Sequence, residues 1–231
     1  MSREYQGWLG IDLLVDLRTA EASAELAARF SAGQDFWFKA HGAVLPVTPA
    51  RAHVTLFQCQ GARVDPEESW NTLEAVRVLA LGDAERPRGP ITVCEIVLDR
   101  IGVQHDKYLF WYASRTPLLT TLHRRVLRDV VDWTKPSERA ENIRQMRARG
   151  TMLRKQELEN LLQYGQRYVD RQWMPHITLA YATERFELES GRGNRVAAVQ
   201  QRHRGFARSV ALCTHSVGGR IEEVLYEIPL G

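Results

Sequence analysis

The sequence predicts an α+β protein with mainly antiparallel sheets. Segments with β-type and helix-type patterns alternate along the chain, and several β-type segments are joined by short hairpin-like connections. No low-complexity linker divides the 231 residues. These observations favour a single domain over residues 1–231, whose two halves share one structure.

The elements are expected in the order strand, helix, strand, helix, hairpin, helix, polar segment, strand, connection, hairpin. The corresponding segments are a first strand from Trp8, a helix capped by Thr19, a strand at 51–59, a helix at 66–82 closed by Gly82, a hairpin with its turn at 102–107, a helix at 116–131, a strand at 174–182, a basic connection at 200–209, and a closing hairpin that turns at Gly218 and Gly219. The polar segment, residues 132–170, is predicted to be a basic helical insertion in two pieces broken at Gly150.

Most of the basic residues are arginines. Only four of the 31 are lysines, so 27 are arginines. The guanidinium group binds phosphate oxygens well, although a GC-rich genome would favour arginine equally. The formal charge of +3 is too small to indicate nucleic-acid binding by itself.

The cysteines and the N-terminus bear on the cellular compartment. Cys59, Cys94 and Cys213 are scattered, odd in number and without a C-x-x-C pair, so we expect buried free thiols and neither a disulfide framework nor a zinc site. The first residues lack the pattern of a secretory signal, and no apolar run is long enough to cross a membrane. We therefore expect a cytoplasmic, soluble protein that does not bind membranes.

A four-residue pattern, His-x-Thr-Leu, occurs twice in the chain. It lies in RAHVTLFQC with His53 and Thr55, and in MPHITLAYA with His176 and Thr178. In an extended strand alternate side chains point to the same face, so each histidine shares a face with its threonine. Two such strands facing one another would bring two imidazoles and two hydroxyls into one cleft.

This set of groups suits cleavage of a phosphodiester. In-line displacement requires one proton to leave the attacking oxygen and another to reach the departing oxygen, and two histidines can act as base and acid near neutral pH. Threonine hydroxyls can donate hydrogen bonds to the non-bridging phosphate oxygens. The same groups require no metal, although the sequence does not indicate which histidine is base and which is acid.

The paired motifs resemble those of the 2H phosphoesterase superfamily, which includes 2′-5′ RNA ligase-like proteins, RNA cyclic phosphodiesterases and viral enzymes that degrade oligonucleotide signals. The resemblance implies a bilobal, pseudo-symmetric fold with two mainly antiparallel sheets around a central cleft, helices outside, and each motif on a central strand. It implies catalytic roles for His53, Thr55, His176 and Thr178, with no cofactor. Because the motifs lie farther apart than in typical small members, the insertion is expected to serve as a lid or a substrate-binding arm.

Further residues are weaker candidates for substrate contacts. Phe57 continues the face of His53 and Thr55, so it is expected at the floor of the cleft. Arg147, Arg149 and Arg154 of the insertion could contact an oligonucleotide backbone, but a solvated helix pair is equally consistent with their pattern. Of the other histidines, His123 is expected on a helix surface and His215 in the core.

The sequence therefore predicts a metal-independent phosphodiesterase that cleaves 2′-5′ or 2′,3′-cyclic bonds in RNA or small nucleotides. Its partner is a substrate, namely an RNA end, an oligonucleotide or a cyclic nucleotide, and we expect a monomer with no obligatory protein partner. Three alternatives remain open. The chain could be a viral or defence-related hydrolase of oligonucleotide second messengers, or a non-catalytic binding module on the same fold, or its two histidines could belong to a metal site.

Overall fold

The structure is a computed structural model that describes residues 3–4, 7–32, 38–46, 51–81, 94–188, 199–216 and 219–230. The strands are β1 (Arg3–Glu4), β2 (Trp8–Val15), β3 (Phe38–His41), β4 (Val44–Pro46), β5 (His53–Gln60), β6 (Arg63–Val64), β7 (Glu95–Gln104), β8 (Tyr108–Ala113), β9 (His176–Ala182), β10 (Arg185–Leu188), β11 (Val199–His215) and β12 (Ile221–Pro229). The helices are α1 (Leu17–Ser31), α2 (Pro66–Leu81), α3 (Pro117–Asp129), α4 (Pro136–Ala148), α5 (Lys155–Tyr164) and a short 3-10 helix (Asp170–Gln172).

The long strand β11 joins two antiparallel sheets. Residues 199–206 pair with β7 and continue the order β4-β9-β8-β7-β11. Residues 207–215 pair with β2 and, from residue 209, with β12, which gives the order β12-β11-β2-β5. Helix α1 packs against β4 and β9, whereas α2 packs against β11 and β12 and α3 against β5. The predicted α+β class with antiparallel sheets is confirmed.

β11 corrects one sequence prediction. Residues 200–209 were expected to form a basic connection, but they belong to a continuous 17-residue strand. Exposed arginine and glutamine side chains alternate there with half-buried and buried ones, as on a strand with one face in solvent. The basic composition of the segment masked this period of two.

The place where β11 passes between the sheets is held by the start of α1. Asp16, and not the predicted Thr19, is the N-cap, since its carboxylate accepts from the Thr19 backbone N–H at 2.9 Å. The same carboxylate accepts from the Phe206 backbone N–H at 2.6 Å. A Cβ atom on Gly205 would lie 1.8 Å from the Thr19 hydroxyl, so this close approach requires glycine.

The other helices and turns follow the sequence closely. The polar insertion forms α4 and α5, and Gly150 between them adopts a φ of 75°, as predicted for a break there. The β7–β8 hairpin turns through His105 and Asp106, both at positive φ. Gly82 and Gly218 lie outside the described residues, and Gly219 has a φ of 74° that suits a turn.

The three cysteines are free and buried, as predicted. Burial raises the pKa of the Cys59 and Cys94 thiols to about 12, so they are held as uncharged thiols. Among the described helices, none is both long and apolar enough to span a membrane.

Candidate active site

The first motif begins a strand that contains a β-bulge. β5 begins at His53, and in its pairing with β2, Thr55 lies opposite Asp12 and Phe57 opposite Ile11. Leu56 is therefore an extra residue with no partner of its own. The bulge interrupts the alternation of side chains directly after the threonine.

The second motif has the same local structure. β9 begins at His176, and in its pairing with β8, Thr178 lies opposite Phe110 and Ala180 opposite Leu109. Leu179 is the extra residue, at the same motif position as Leu56. The leucine of each His-x-Thr-Leu motif is therefore the bulged residue. Both leucine side chains are fully buried.

Both imidazoles are held in the same way. The Nδ1 atom of His53 lies 2.7 Å from the Arg51 carbonyl oxygen, and Nδ1 of His176 lies 2.7 Å from the Met174 carbonyl oxygen. A carbonyl can only accept, so Nδ1 carries the proton in each neutral ring and Nε2 is the basic nitrogen. Each histidine therefore has its Nε2 available for proton transfer.

The two motifs are tied together through their backbones. β5 and β9 contact each other although they are not hydrogen-bonded neighbours. Trp173, just before the second motif, donates its indole N–H to the Thr55 carbonyl at 3.1 Å. His123 donates to the Leu56 carbonyl at 2.7 Å and stacks on Trp173, with ring centroids 4.2 Å apart. The bulge carbonyls of β5 are thus satisfied by side chains from outside their own sheet.

His123 is therefore not the surface residue that the sequence predicted, because it is 1% exposed. Its Nε2 atom accepts from the Asp170 backbone N–H at 2.8 Å. Burial lowers the pKa of His123 to about 4, so the ring is neutral and can accept that hydrogen bond. The arginines that follow it in sequence suggested an exposed face, but this one position faces inward.

We expect Trp173→Phe to reduce both stability and activity. The substitution leaves the half-buried Thr55 carbonyl without its indole donor, which costs about 1 kcal/mol in the free energy of unfolding. It also releases the tie between the motifs, so kcat/KM should fall. Trp111→Phe is the matched control, because the Trp111 indole donates to the Gln201 carbonyl of β11 at 2.9 Å and Trp111 does not line the cavity. Urea unfolding should show similar losses of stability for both variants. An equal loss of activity in both would contradict a role of the Trp173–Thr55 hydrogen bond in joining the two motifs.

A cavity of about 370 Å³ lies between the motif strands. Thr55, His176 and Thr178 line it, whereas His53 is 4% exposed and does not form part of its surface. Six aromatic side chains contribute to the described wall: Trp8, Phe57, Tyr108, Phe110, Tyr168 and Trp173. The structure thus brings three of the four predicted catalytic residues to one cavity and places the fourth beside it on the same strand.

The described cavity wall carries a single positive charge. Arg167 is the one arginine or lysine among its described residues, and none of them is an aspartate or glutamate. The Arg167 guanidinium lies 4.8 Å above the Tyr168 ring, a cation–π distance that holds it in place. Residues 166–169 and Met146 bring the 132–170 segment to the cavity. This wall favours an anionic ligand with a flat, apolar part.

Of the weaker sequence candidates, Phe57 lines the cavity and the three arginines of the insertion do not. Phe57 contributes to the cavity wall, but it is 2% exposed and its ring packs edge-on against Trp133 at 6.1 Å. Arg147, Arg149 and Arg154 are exposed, and none of them lines the cavity. The 132–170 segment reaches the cavity through Arg167 and not through these three arginines, because the turn from α5 to β9 decides which side chain faces inward.

The residues opposite the two threonines differ. Asp12 lies opposite Thr55, and Phe110 opposite Thr178. The Phe110 ring stacks on His176 with centroids 3.7 Å apart. Asp12, 0% exposed, instead lies beside His53, with Oδ1 3.8 Å from Nε2 of that ring. Its other oxygen, Oδ2, lies 2.9 Å from Nε2 of His215. The two motifs thus share the same backbone bulge, but a carboxylate lies opposite the threonine of the first motif and an aromatic ring lies opposite the threonine of the second.

Burial and charge both shift the pKa values of Asp12 and His215. Burial by itself would raise the pKa of the Asp12 carboxyl, but the charges of His215 and His53 lower it below its ordinary 3.8. Burial would lower the pKa of His215, but the Asp12 carboxylate raises it above its ordinary 6.5. Asp12 and His215 therefore form a buried ion pair.

The two motif histidines are neutral in this environment. Burial lowers the pKa of His53, and the Asp12 carboxylate opposes that effect. Burial lowers the pKa of His176 to about 4, although the hydrogen bond to the Met174 carbonyl opposes it. Among the described residues, no carboxylate opposes the effect at His176.

Asp12, His53 and His215 also contain donor atoms that a metal ion could use. One ligand atom from each lies within 4.8 Å of the others, and imidazole with carboxylate is a common donor set for zinc. The 2.9 Å contact between Asp12 and His215 already satisfies two of these atoms as an ion pair. The expectation of a metal-independent site stays a prediction, which activity in the presence of EDTA tests.

Sequence reasoning did not select Asp12, although a signal was present. Asp12 lies inside the apolar run GIDLLV of β2, where a charged side chain is almost never fully buried without a partner. His215, expected in the core, is indeed buried, but its role as that partner depends on a contact 203 positions along the chain.

Fold and site together define an α+β protein with two His-x-Thr strands at one cavity. No protein-family model matches the chain, and no curated protein matches it in sequence. Solved structures similar in fold include TT0787 of Thermus thermophilus, 18% identical over 96% of this chain and 97% of that one, with a TM-score of 0.49. A structure described as a phosphoesterase is 15% identical over 97% and 98%, with a TM-score of 0.45. Escherichia coli LigT complexed with 3′-AMP is 16% identical over 96% and 97%, with a TM-score of 0.44. These identities and TM-scores are too low to transfer an activity to this chain.

Proposed function

We propose that the protein is a metal-independent phosphodiesterase that cleaves 2′-5′ or 2′,3′-cyclic phosphodiester bonds. The observation that supports this most strongly is the pair of imidazoles, each fixed through Nδ1 to a backbone carbonyl at 2.7 Å, on strands that contact each other. Each Nε2 atom is left to exchange a proton, and a threonine follows two residues later on each strand. Acid and base are thus supplied by the same local structure used twice.

The reaction follows from these groups. Water, or a neighbouring hydroxyl of the substrate, attacks phosphorus and gives its proton to one imidazole as the new P–O bond forms. The P–O bond to the ribose oxygen breaks as the other imidazole gives that oxygen a proton. The Thr55 and Thr178 hydroxyls, which line the cavity, donate to the non-bridging oxygens and hold the phosphorus between the two rings.

The cavity favours a small nucleotide over a long RNA. Its volume of about 370 Å³ lies within the range of small-molecule sites. Its aromatic side chains can stack on a nucleobase. Arg167 supplies a positive charge for a phosphate, and the absence of acidic groups among the described wall residues avoids repulsion. A mononucleotide or short oligonucleotide with a 2′,3′-cyclic or 2′-5′ phosphate fits this wall best.

The proposal is tested with a panel of substrates in the presence of EDTA. The purified protein is incubated with 2′,3′-cyclic nucleotides, 2′-5′ oligoadenylate and cyclic oligonucleotides, and the products are separated by chromatography. We expect cleavage of at least one substrate that survives EDTA and is lost in the double variant His53→Ala/His176→Ala. Activity that disappears with EDTA and returns with zinc would instead assign Asp12, His53 and His215 to a metal centre.

The panel also separates the alternatives. Preference for cyclic oligonucleotides or 2′-5′ oligoadenylate would favour a hydrolase of second messengers. Tight binding of a nucleotide without any product would favour a binding module on the same fold. A protein that neither binds nor cleaves any member of the panel would contradict the proposed function.

Arg167→Met is expected to raise KM about tenfold with a smaller effect on kcat, because a charge-assisted contact to the bound phosphate is lost in ground state and transition state alike. Arg147→Met is the matched control, since Arg147 belongs to the same segment but is exposed and does not line the cavity. Steady-state kinetics on the best substrate of the panel measure both. Equal increases in KM would show that the insertion acts only through its overall charge.

A further inference from the structure

A second cavity, of about 360 Å³, adjoins the first at Met174. Met174 lines both cavities, and its carbonyl accepts from Nδ1 of His176 at 2.7 Å. Arg100, Tyr112 and Arg115 contribute to the wall of the second cavity. A ligand whose reacting phosphate lies beside His176 could therefore extend from the first cavity into the second.

Strand register places Arg100 on the same face of the sheet as the imidazole of His176. Arg100 on β7 lies opposite Tyr112 on β8, and Tyr112 lies opposite His176 on β9. Directly opposite residues share a face, so the three side chains form a row across the sheet. The Arg100 guanidinium lies 4.9 Å from the centre of the Tyr112 ring, and this ring lies 6.3 Å from that of His176. A positive charge is thus held one side chain away from the imidazole.

A β-bulge in β7 decides which charge occupies this row. The residues on either side of Asp99 pair with Ala113 and Tyr112, which are consecutive on β8, so Asp99 is an extra residue with no partner of its own. In a regular ladder Asp99 would lie opposite Tyr112, and its carboxylate would repel a phosphate bound there. Because of the bulge, Arg100 takes that position, and Oδ2 of Asp99 accepts from the Ser114 hydroxyl at 3.0 Å.

The two guanidinium groups of this cavity have donors that the described residues do not use. Arg100 is exposed, and within the described ranges its partner is the Tyr112 ring and no carboxylate. Arg115 donates through Nη2 to two backbone carbonyls, at 3.4 and 2.9 Å, which leaves its Nε and Nη1 without an acceptor among the described residues. Asp99 is the one carboxylate of the described wall, so two arginines give it a net positive charge. The planar guanidinium group is well suited to phosphate oxygens.

We propose that the second cavity is a subsite for a second phosphate of the substrate, the one that neighbours the cleaved phosphate along the backbone, and that Arg100 is its specificity-determining residue. This inference rests on the proposed function and narrows it. The preferred substrate is then a short oligonucleotide or a nucleotide with a 5′-phosphate, and a nucleotide with one phosphate is the poorer substrate. The second phosphate does not react, so its contacts are the same in ground state and transition state and act mainly on KM.

The test compares substrates that differ by one phosphate. Adenosine 2′,3′-cyclic phosphate is offered with and without a 5′-phosphate, and the 2′-5′-linked adenosine dinucleotide is offered in the same two forms. We expect the wild type to have a KM about tenfold lower for the 5′-phosphorylated form, as one charge-assisted contact can supply. Arg100→Met should remove this preference and leave the KM of the unphosphorylated form within about twofold of the wild type. A wild type without the preference would overturn the proposal.

Arg204→Met is the matched control, because Arg204 is an exposed arginine on the neighbouring strand β11 and lines neither cavity. It should keep the preference, and an equal loss in Arg204→Met and Arg100→Met would mean that overall charge, and not a subsite, selects the substrate. Arg167→Met should raise KM for both forms and keep the preference. Loss of the preference in Arg167→Met with retention in Arg100→Met would place the second phosphate in the first cavity and overturn the proposal.

Binding measurements separate this proposal from the proposed function. Isothermal titration calorimetry compares adenosine 3′-monophosphate with adenosine 3′,5′-bisphosphate and requires no cleavage. The wild type should bind the bisphosphate about tenfold more tightly, and Arg100→Met should bind the two nucleotides equally. If this result is obtained but no substrate is cleaved, the proposed function fails and the subsite stands. Equal binding of both nucleotides by the wild type would overturn the subsite, whether or not the protein is an enzyme.

Discussion

His176→Ala is expected to lower kcat/KM on the best phosphodiester substrate by a factor of about 10²–10⁴ at neutral pH. The substitution removes the imidazole whose Nδ1 is fixed to the Met174 carbonyl and which lines the cavity together with Thr178. No other described histidine lines the cavity except His105, which lies in the β7–β8 turn. Steady-state kinetics in EDTA give the measurement.

His203→Ala is a suitable control for this prediction, because His203 lies on β11 against the Thr19 hydroxyl and outside the cavity. It should retain nearly full activity. The double variant His53→Ala/His176→Ala should be little worse than the poorer single variant, since acid and base act in one step and their effects are not additive. Full activity in His176→Ala would exclude the two-histidine mechanism.

His215→Ala is expected to destabilise the protein by about 3–5 kcal/mol, because it leaves the Asp12 carboxylate buried without its partner. Asp12 is 0% exposed, so bulk water does not solvate its charge in the folded protein. The double variant Asp12→Asn/His215→Gln should cost less than the single variant, since neither member is then a lone buried charge. Urea unfolding of both single variants and the double variant completes the cycle.

The pH dependence of this cost has a defined direction. The pKa of His215 is raised in the folded state, so its contribution is present below about 6.5 and lost as the pH rises through the folded pKa. The pKa of Asp12 is lowered, so its contribution is present above its ordinary 3.8 and lost as the pH falls through the folded pKa. The His215→Ala cost should therefore be fully developed between about pH 4 and pH 6.5. A cost that does not vary with pH would contradict the ion pair.

Acid acts on the wild type through other histidines. His123 is buried and His176 half-buried, and the pKa of each is lowered to about 4, whereas their unfolded forms take up a proton near pH 6.5. Stability should therefore decline as the pH falls from 6.5 towards 4, by an amount of the order of 3 kcal/mol for each group. His123→Gln should reduce the slope if it folds, because one of these two groups is removed.

Much of the site could be predicted from local sequence because its chemistry is local. A histidine and a threonine two positions apart share a strand face whatever the surrounding fold is, so His53 with Thr55 and His176 with Thr178 follow from the pattern. The order of helices and strands was predicted well for the same reason. The errors arose where a local pattern had two interpretations, as for the basic segment at 200–209, which is a strand, and for His123, which is buried.

The sequence by itself determined the paired imidazoles and hydroxyls, the α+β class and the presence of a basic helical segment, since these depend on spacing of a few residues. Only the tertiary structure decided what surrounds each imidazole. Asp12 meets His215 because β2 and β11 are neighbours, Arg167 and not Arg147 faces the cavity because of how the chain leaves α5, and the two bulges set where each strand turns its side chains. Such contacts depend on strand register and on pairing between distant segments, which a single sequence does not encode in any local pattern.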